Sequence, residues 1–321
     1  GAATPRQHDR KPALASDQRR AAMKSKPENR HRWFRNRLIA ALFSLGTITS
    51  ILPAGAVVPT VYVPTADELK GSSIGIGRTA AQLLQMGQAK EAAQLAALAV
   101  RLDPENERLW SVLAEAQLRS DQLKAASTSL ARAKALNPTK AGLWFAEAAI
   151  ALRAEQPNSA VPLIERGLDL DPNNPSAYFD LGNARIMQGN LTAALTSFER
   201  ATALKPDFWE ALNNQALVLF ELGETQEAIR RWRRVLSLEK NPEPMLALAA
   251  ALHQSKSRPD EAISLAMKAL AEEPNYVLVG HQTEQLWGVK IRKAAALLLE
   301  EPELRAGVER AKANATWKKR Q

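Results

Sequence analysis

The chain has no cysteine. That excludes a disulfide scaffold, a thiolate metal site and a lipidated N-terminal cysteine, and leaves the compartment open. Aromatics are scarce, at 5% of residues, which suits close-packed helices rich in Ala and Leu. Histidine is scarcer still: His8, His31, His253 and His281 stand isolated. Also missing are an H-E-x-x-H pair, a Gly-rich phosphate loop and a G-x-S-x-G elbow. Ile74-Gly75-Ile76-Gly77-Arg78 contains a G-x-G, but without a βαβ context it reads as the entrance to the first helix. The acid pairs Glu272-Glu273 and Glu300-Glu301 read as solvated helix caps. With no constellation of nucleophile, base and oxyanion donor, the reading is a non-enzyme with no cofactor, metal or small-molecule substrate.

Positive charge is abundant in one place only. Eleven of the 43 Lys and Arg residues lie in residues 1–37, against Asp9, Asp17 and Glu28. The rest of the chain is close to neutral. The high pI therefore belongs to the tail, and a nucleic-acid partner, which wants cations on the folded body, is excluded. Residues 1–37 read as a disordered basic tail. Met23 reads as a start, with residues 1–22 as an upstream extension.

The cluster Arg30-His31-Arg32-Trp33-Phe34-Arg35-Asn36-Arg37 abuts Leu38 to Val58, which has 21 residues and no charge. That length spans a hydrocarbon core about 30 Å thick. Two readings stand side by side. One is a retained membrane anchor; the other is a signal peptide cleaved near Ala56 in the Ala54-Gly55-Ala56 site. The basic flank places the chain after Val58 across the membrane from the cytoplasm, on the lumenal or periplasmic side, in the first case, and free in periplasm or lumen in the second. Residues 59–72 read as a linker held extended by Pro59 and Pro64.

From Ser73 a period of 34 residues takes over. Pro104, Pro138, Pro172 and Pro206 repeat at that spacing, and Pro242 and Pro274 follow with a local shift. Six units result, over 73–276. Their eighth places are Ala80, Ala114, Ala148, Gly182, Ala216 and Ala250. Their twentieth places are all alanine, from Ala92 to Ala262. Small residues at both places let two helices approach closely, and the proline ends the second helix. The fourth places, among them Trp110, Trp144 and Tyr178, are large and fill space on the pair. Gly87, Gly189 and Gly223 mark the inner turns. Residues 277–321 read as capping helices, the first from Val277 to Glu300 and the second from Glu303, with a basic tail.

This pattern resembles the tetratricopeptide repeat (TPR) family. The resemblance implies an all-α fold: a right-handed superhelix of about six helix-turn-helix repeats with a C-terminal cap. It also implies that the first helix of each hairpin lines a concave groove for a protein partner, either a peptide segment or a helix. The groove places are Phe145, Phe179, Asn183, Ile186, Met187, Asn213, Asn214, Leu217 and Phe220. Rings and Met fill pockets, while Asn amides bond a backbone. TPR domains that clamp a terminal carboxylate use Lys, Asn and Arg. Here Phe179, Pro244 and Leu248 stand where the basic residues would be, which argues against that role.

A narrower resemblance lies in Phe208-Trp209, Asn213-Asn214, Glu221-Leu222-Gly223, Trp232, Glu243-Pro244 and Leu286-Trp287-Gly288. These are similar to a cyanobacterial and plastid group of membrane-anchored TPR proteins that interact with protochlorophyllide oxidoreductase. More distantly, they are similar to TPR assembly factors of photosystem I. The resemblance implies a thylakoid scaffold for chlorophyll synthesis or photosystem assembly, with the reductase or an assembly intermediate as partner. It conflicts with the charge flank, because that reductase works on the cytoplasmic or stromal side.

Overall fold

The computed structural model describes residues 65–318. The expected tail at 1–37, the apolar stretch at 38–58 and both linker prolines lie outside the described residues. Among the described residues, no helix is long and apolar enough to cross a membrane.

Helices in hairpins make up most of the described residues. They are α1 (Ala66–Gln85) with α2 (Ala89–Leu102), α3 (Glu107–Arg119) with α4 (Leu123–Leu136), and α5 (Ala141–Arg153) with α6 (Pro157–Leu170). Then come α7 (Pro175–Met187) with α8 (Leu191–Leu204), α9 (Trp209–Leu222) with α10 (Thr225–Leu238), and α11 (Pro242–Gln254) with α12 (Pro259–Glu272). Three helices follow: α13 (Val279–Glu284), α14 (Val289–Leu299) and α15 (Arg305–Asn314).

The period acts as the sequence requires. Ala80, Ala114, Ala148, Ala216 and Ala250 are buried, as is every twentieth-place alanine. Gly182 lies so close to α8 that an added Cβ would collide with the ring of Phe198. The fourth-place indoles do more than fill space. Trp110 Nε1 donates to the Pro104 carbonyl at 2.8 Å and Trp144 Nε1 to the Pro138 carbonyl at 3.0 Å. Each stitches its helix to the proline that closed the previous hairpin.

The fifteenth place of each of the first five units takes a left-handed backbone. Gly87, Gly189 and Gly223 have φ of 77°, 75° and 95°, and Asp121 and Glu155 hold the same turn at 62° and 54°. A Cβ there costs about 1–2 kcal/mol, offset in part by the extra chain entropy of glycine. Glu155→Gly should therefore raise stability by about 0.5–1 kcal/mol, read as a higher urea midpoint at unchanged slope.

Three boundaries differ from expectation. Helix α1 begins at Ala66, inside the expected linker, because Thr65 and Glu68 form a reciprocal capping box. The Gly75–Gly77 stretch therefore lies within the helix, with Gly77 against Leu109. Pro242 does not close a unit; it opens α11 after the Asn241 cap, where a missing N–H costs nothing. The expected helix from Val277 to Glu300 is broken: Leu286 turns left-handed at φ 61° and Gly288 is extended.

First helices touch the first helices of neighbouring hairpins, α1 to α3, α3 to α5, α5 to α7 and α9 to α11. Among the described residues, second helices make no comparable contact with one another. The first helices therefore line the inside of the curve.

Candidate partner-binding groove

The inner face divides into a filled part and an open part. Helix α14 packs along α11 and onto α9, both of them first helices. Ile291, Ala295 and Leu298 on α14 are fully buried, and residues 244–252 of α11 are buried. Glu221, at the end of α9, accepts from the Ile291 amide at 2.9 Å and the Lys290 amide at 3.1 Å. A carboxylate from another helix thus caps the N-terminus of α14, where the helix dipole favours an anion. Lys290 Nζ returns the contact to the Glu221 carbonyl at 2.7 Å. At the other end His253 Nε2 meets Glu301 at 2.7 Å.

Trp287 locks the start of this segment. Its ring is 2% exposed, lies 5.8 Å from the Tyr276 ring, and donates from Nε1 to Glu243 Oε1 at 3.1 Å. Burial holds the Glu243 carboxyl above its ordinary range, against the pull of Trp287, Asn213 and Tyr276. Burial and the nearby Glu243 push the Tyr276 phenol up in turn.

Four expected groove residues are covered by this packing. Asn213, Asn214, Leu217 and Phe220 are buried, all on α9, which α14 and α10 cover. Phe220 packs on Trp232 at 6.0 Å between ring centres. Two more serve the hairpins as much as the groove. The half-buried Phe145 ring fills the space left by Gly167. Phe179 sits 5.8 Å from Phe198 and 5.2 Å from Phe208. Ile186 joins the same cluster.

What stays open is the face of α3, α5 and α7. A cleft of about 210 Å³ lies beside Ser111, Glu115, Leu118 and Gly142. On α7 the half-buried Asn183 and Met187 are on this face, one turn apart. A polar thread orients Asn183. Trp232 Nε1 donates to Asn213 Oδ1 at 3.0 Å, Asn213 Nδ2 reaches Asn214 Oδ1 at 3.4 Å, and Asn214 Nδ2 donates to Asn183 Oδ1 at 2.8 Å. The buried asparagines thus position the surface one.

Sequence reasoning missed Asp180, which precedes Asn183 by three residues on the same face. It has no hydrogen-bond or ion-pair partner among the described residues, and burial alone pushes its carboxyl up to about 6. The charged form is penalised in the fold, so the penalty is complete above pH 6, fades as pH falls, and is gone below the unfolded value near 3.8. Asp180→Asn should therefore stabilise the chain at pH 7.5 by about 2 kcal/mol, with no gain at pH 3.5. Thermal midpoints of both proteins at the two pH values measure this.

A curved stack of helical hairpins with a partly open inner face defines a repeat-type interaction module. Two family models, both described as tetratricopeptide repeat, match it: one at residues 145–207, 180–242 and 213–276, the other at 83–149. The chain belongs to the tetratricopeptide repeat family. Among solved structures it is similar to pilF of Pseudomonas aeruginosa, at 18% identity and TM-score 0.57 over 65% of this chain and 94% of that one. It is also similar to PilW, a type IV pilus biogenesis factor, at 17% and 0.55 over 69% and 97%. A third is MamA of Desulfovibrio magneticus RS-1, at 17% and 0.50 over 54% and 97%. At these identities the likeness is one of fold. No curated protein matches the sequence.

Proposed function

We propose that this chain is a non-catalytic scaffold that holds a segment of a partner protein along the inner face of α3, α5 and α7. The observation behind it is the division of that face: α14 fills the part at α9 and α11, while Leu118, Asn183 and Met187 stay accessible. An apolar floor with one oriented amide suits an extended segment, whose side chains fill pockets while its backbone takes the amide.

The finer reading is a membrane-anchored scaffold for chlorophyll synthesis or photosystem assembly. It rests on the uncharged run at 38–58 with its basic flank, and on the narrower family resemblance. A cleaved periplasmic protein serving envelope or secretion machinery is the second reading, favoured by the Ala54-Gly55-Ala56 site.

Photo-crosslinking in cells tests the scaffold. A benzophenone side chain at Leu118 or at Met187 should trap the same polypeptide, and one at the exposed Arg230 of α10 should not. Trapping from Arg230 alone would overturn the groove assignment. If the trapped partner is an enzyme of pigment synthesis or a photosystem subunit, the finer reading stands. Alkaline carbonate extraction separates the anchor from the cleaved form, since an anchored chain stays in the membrane pellet.

A further inference from the structure

Asp180, Asn183 and Met187 fall at spacings of three and four along α7, so they form one stripe on its inner face. Their chemistry is mixed. Asp180 is a half-buried acceptor with no partner among the described residues. The Asn183 carbonyl oxygen is occupied by Asn214, which leaves its amide N–H groups as donors. Met187 is a half-buried thioether with a shape that adapts to its neighbour. A carboxylate in this setting is costly until a cation arrives, and a charge-assisted contact recovers that cost.

Resting on the groove reading, we infer that the α7 stripe selects a partner segment carrying a lysine or arginine. The cationic side chain meets Asp180, the Asn183 N–H takes a backbone carbonyl of the segment, and an adjacent apolar side chain lies on Met187. The complementarity is of charge. Near the cleft between α3 and α5, Glu115 is already paired with Arg119 at 2.6 Å, and Glu147 of α5 with Lys134. Asp180, unlike these two, has no ion-pair partner among the described residues and is left for an incoming cation.

The test starts with the immobilised full chain and a phage-displayed library of random peptides. Selected peptides should share a Lys or Arg at a fixed distance from an apolar residue. Titration of one such peptide should lose about tenfold or more in affinity when Asp180 is changed to Asn. A peptide with the basic residue changed to Gln should bind the native chain and the Asp180→Asn variant equally, which separates a direct contact from a change in folding. Three results would overturn the inference: peptides without a shared cation, equal losses for both peptides, or no loss with the variant. Peptides that lack a cation yet are lost on Met187→Asp would overturn this inference and leave the groove reading intact. No enrichment at all would overturn both.

Discussion

Trp287→Ala should lower the unfolding free energy of the C-terminal half by about 4 kcal/mol. Removing a fully buried indole costs about 3–5 kcal/mol through lost burial and the cavity left behind. Here a second cost adds to it. The indole N–H is a donor to Glu243 Oε1, and its loss leaves a buried acid with one partner fewer. The damage should be local. Trp287 begins the segment that lays α14 on α9 and α11, so those helices open while α1 to α6 keep their stability. Repeat proteins behave this way because each hairpin depends mainly on its neighbours. Urea unfolding followed by Trp fluorescence should turn from one transition into two, and a dye that binds exposed apolar surface should light up before the second. An intact single transition would mean that α14 contributes little to the fold.

Gly182→Leu should do comparable harm in the fourth unit, at about 3 kcal/mol, within the range for overpacked cores. The ring of Phe198 occupies the space that even a Cβ would need. Phe198 is fully buried in α8 and touches Phe179 at 5.8 Å, so it cannot simply turn aside. The paired change Phe198→Ala should recover part of the loss, because it vacates that space. A double variant no better than the single one would place the strain elsewhere. The pair also isolates what the repeat pattern encodes: one small residue on the first helix matched to one large residue on the second.

The hairpins were legible because they are periodic. A small residue every 34 positions at the eighth and twentieth places, and a proline after the second helix, state the packing of a unit without help from the rest of the chain. The filled end of the groove was not legible by that route. It depends on contacts far apart in sequence, such as Glu221 with Ile291 and Trp287 with Glu243, which no period announces. One signal was present. Helix α11 reads Met245-Leu246-Ala247-Leu248-Ala249-Ala250-Ala251-Leu252, apolar on every face, and such a helix is buried on every face. Something had to cover its inner side. Phe220 and Leu217 belong to the same covered region and are buried, which their place in the repeat does not announce.

Asp180 illustrates the other limit. A single Asp in a helix reads as a solvated residue, and only its surroundings make it an uncompensated acid. That cost is retained at a place where the buried thread from Trp232 to Asn183 ends at the surface. A stability penalty on an otherwise well-packed face is what a binding site shows when its partner is away.

Helix α14 closes one end of the groove while α3, α5 and α7 remain open. Amide hydrogen exchange read by mass spectrometry, with and without a groove-selected peptide, tests this directly. In the free chain α9, α11 and α14 should exchange together and slowly, and the peptide should add protection on α3, α5 and α7 alone. New protection on α9 and α11, with α14 released to fast exchange, would show that the partner takes the place of α14, and would contradict the account.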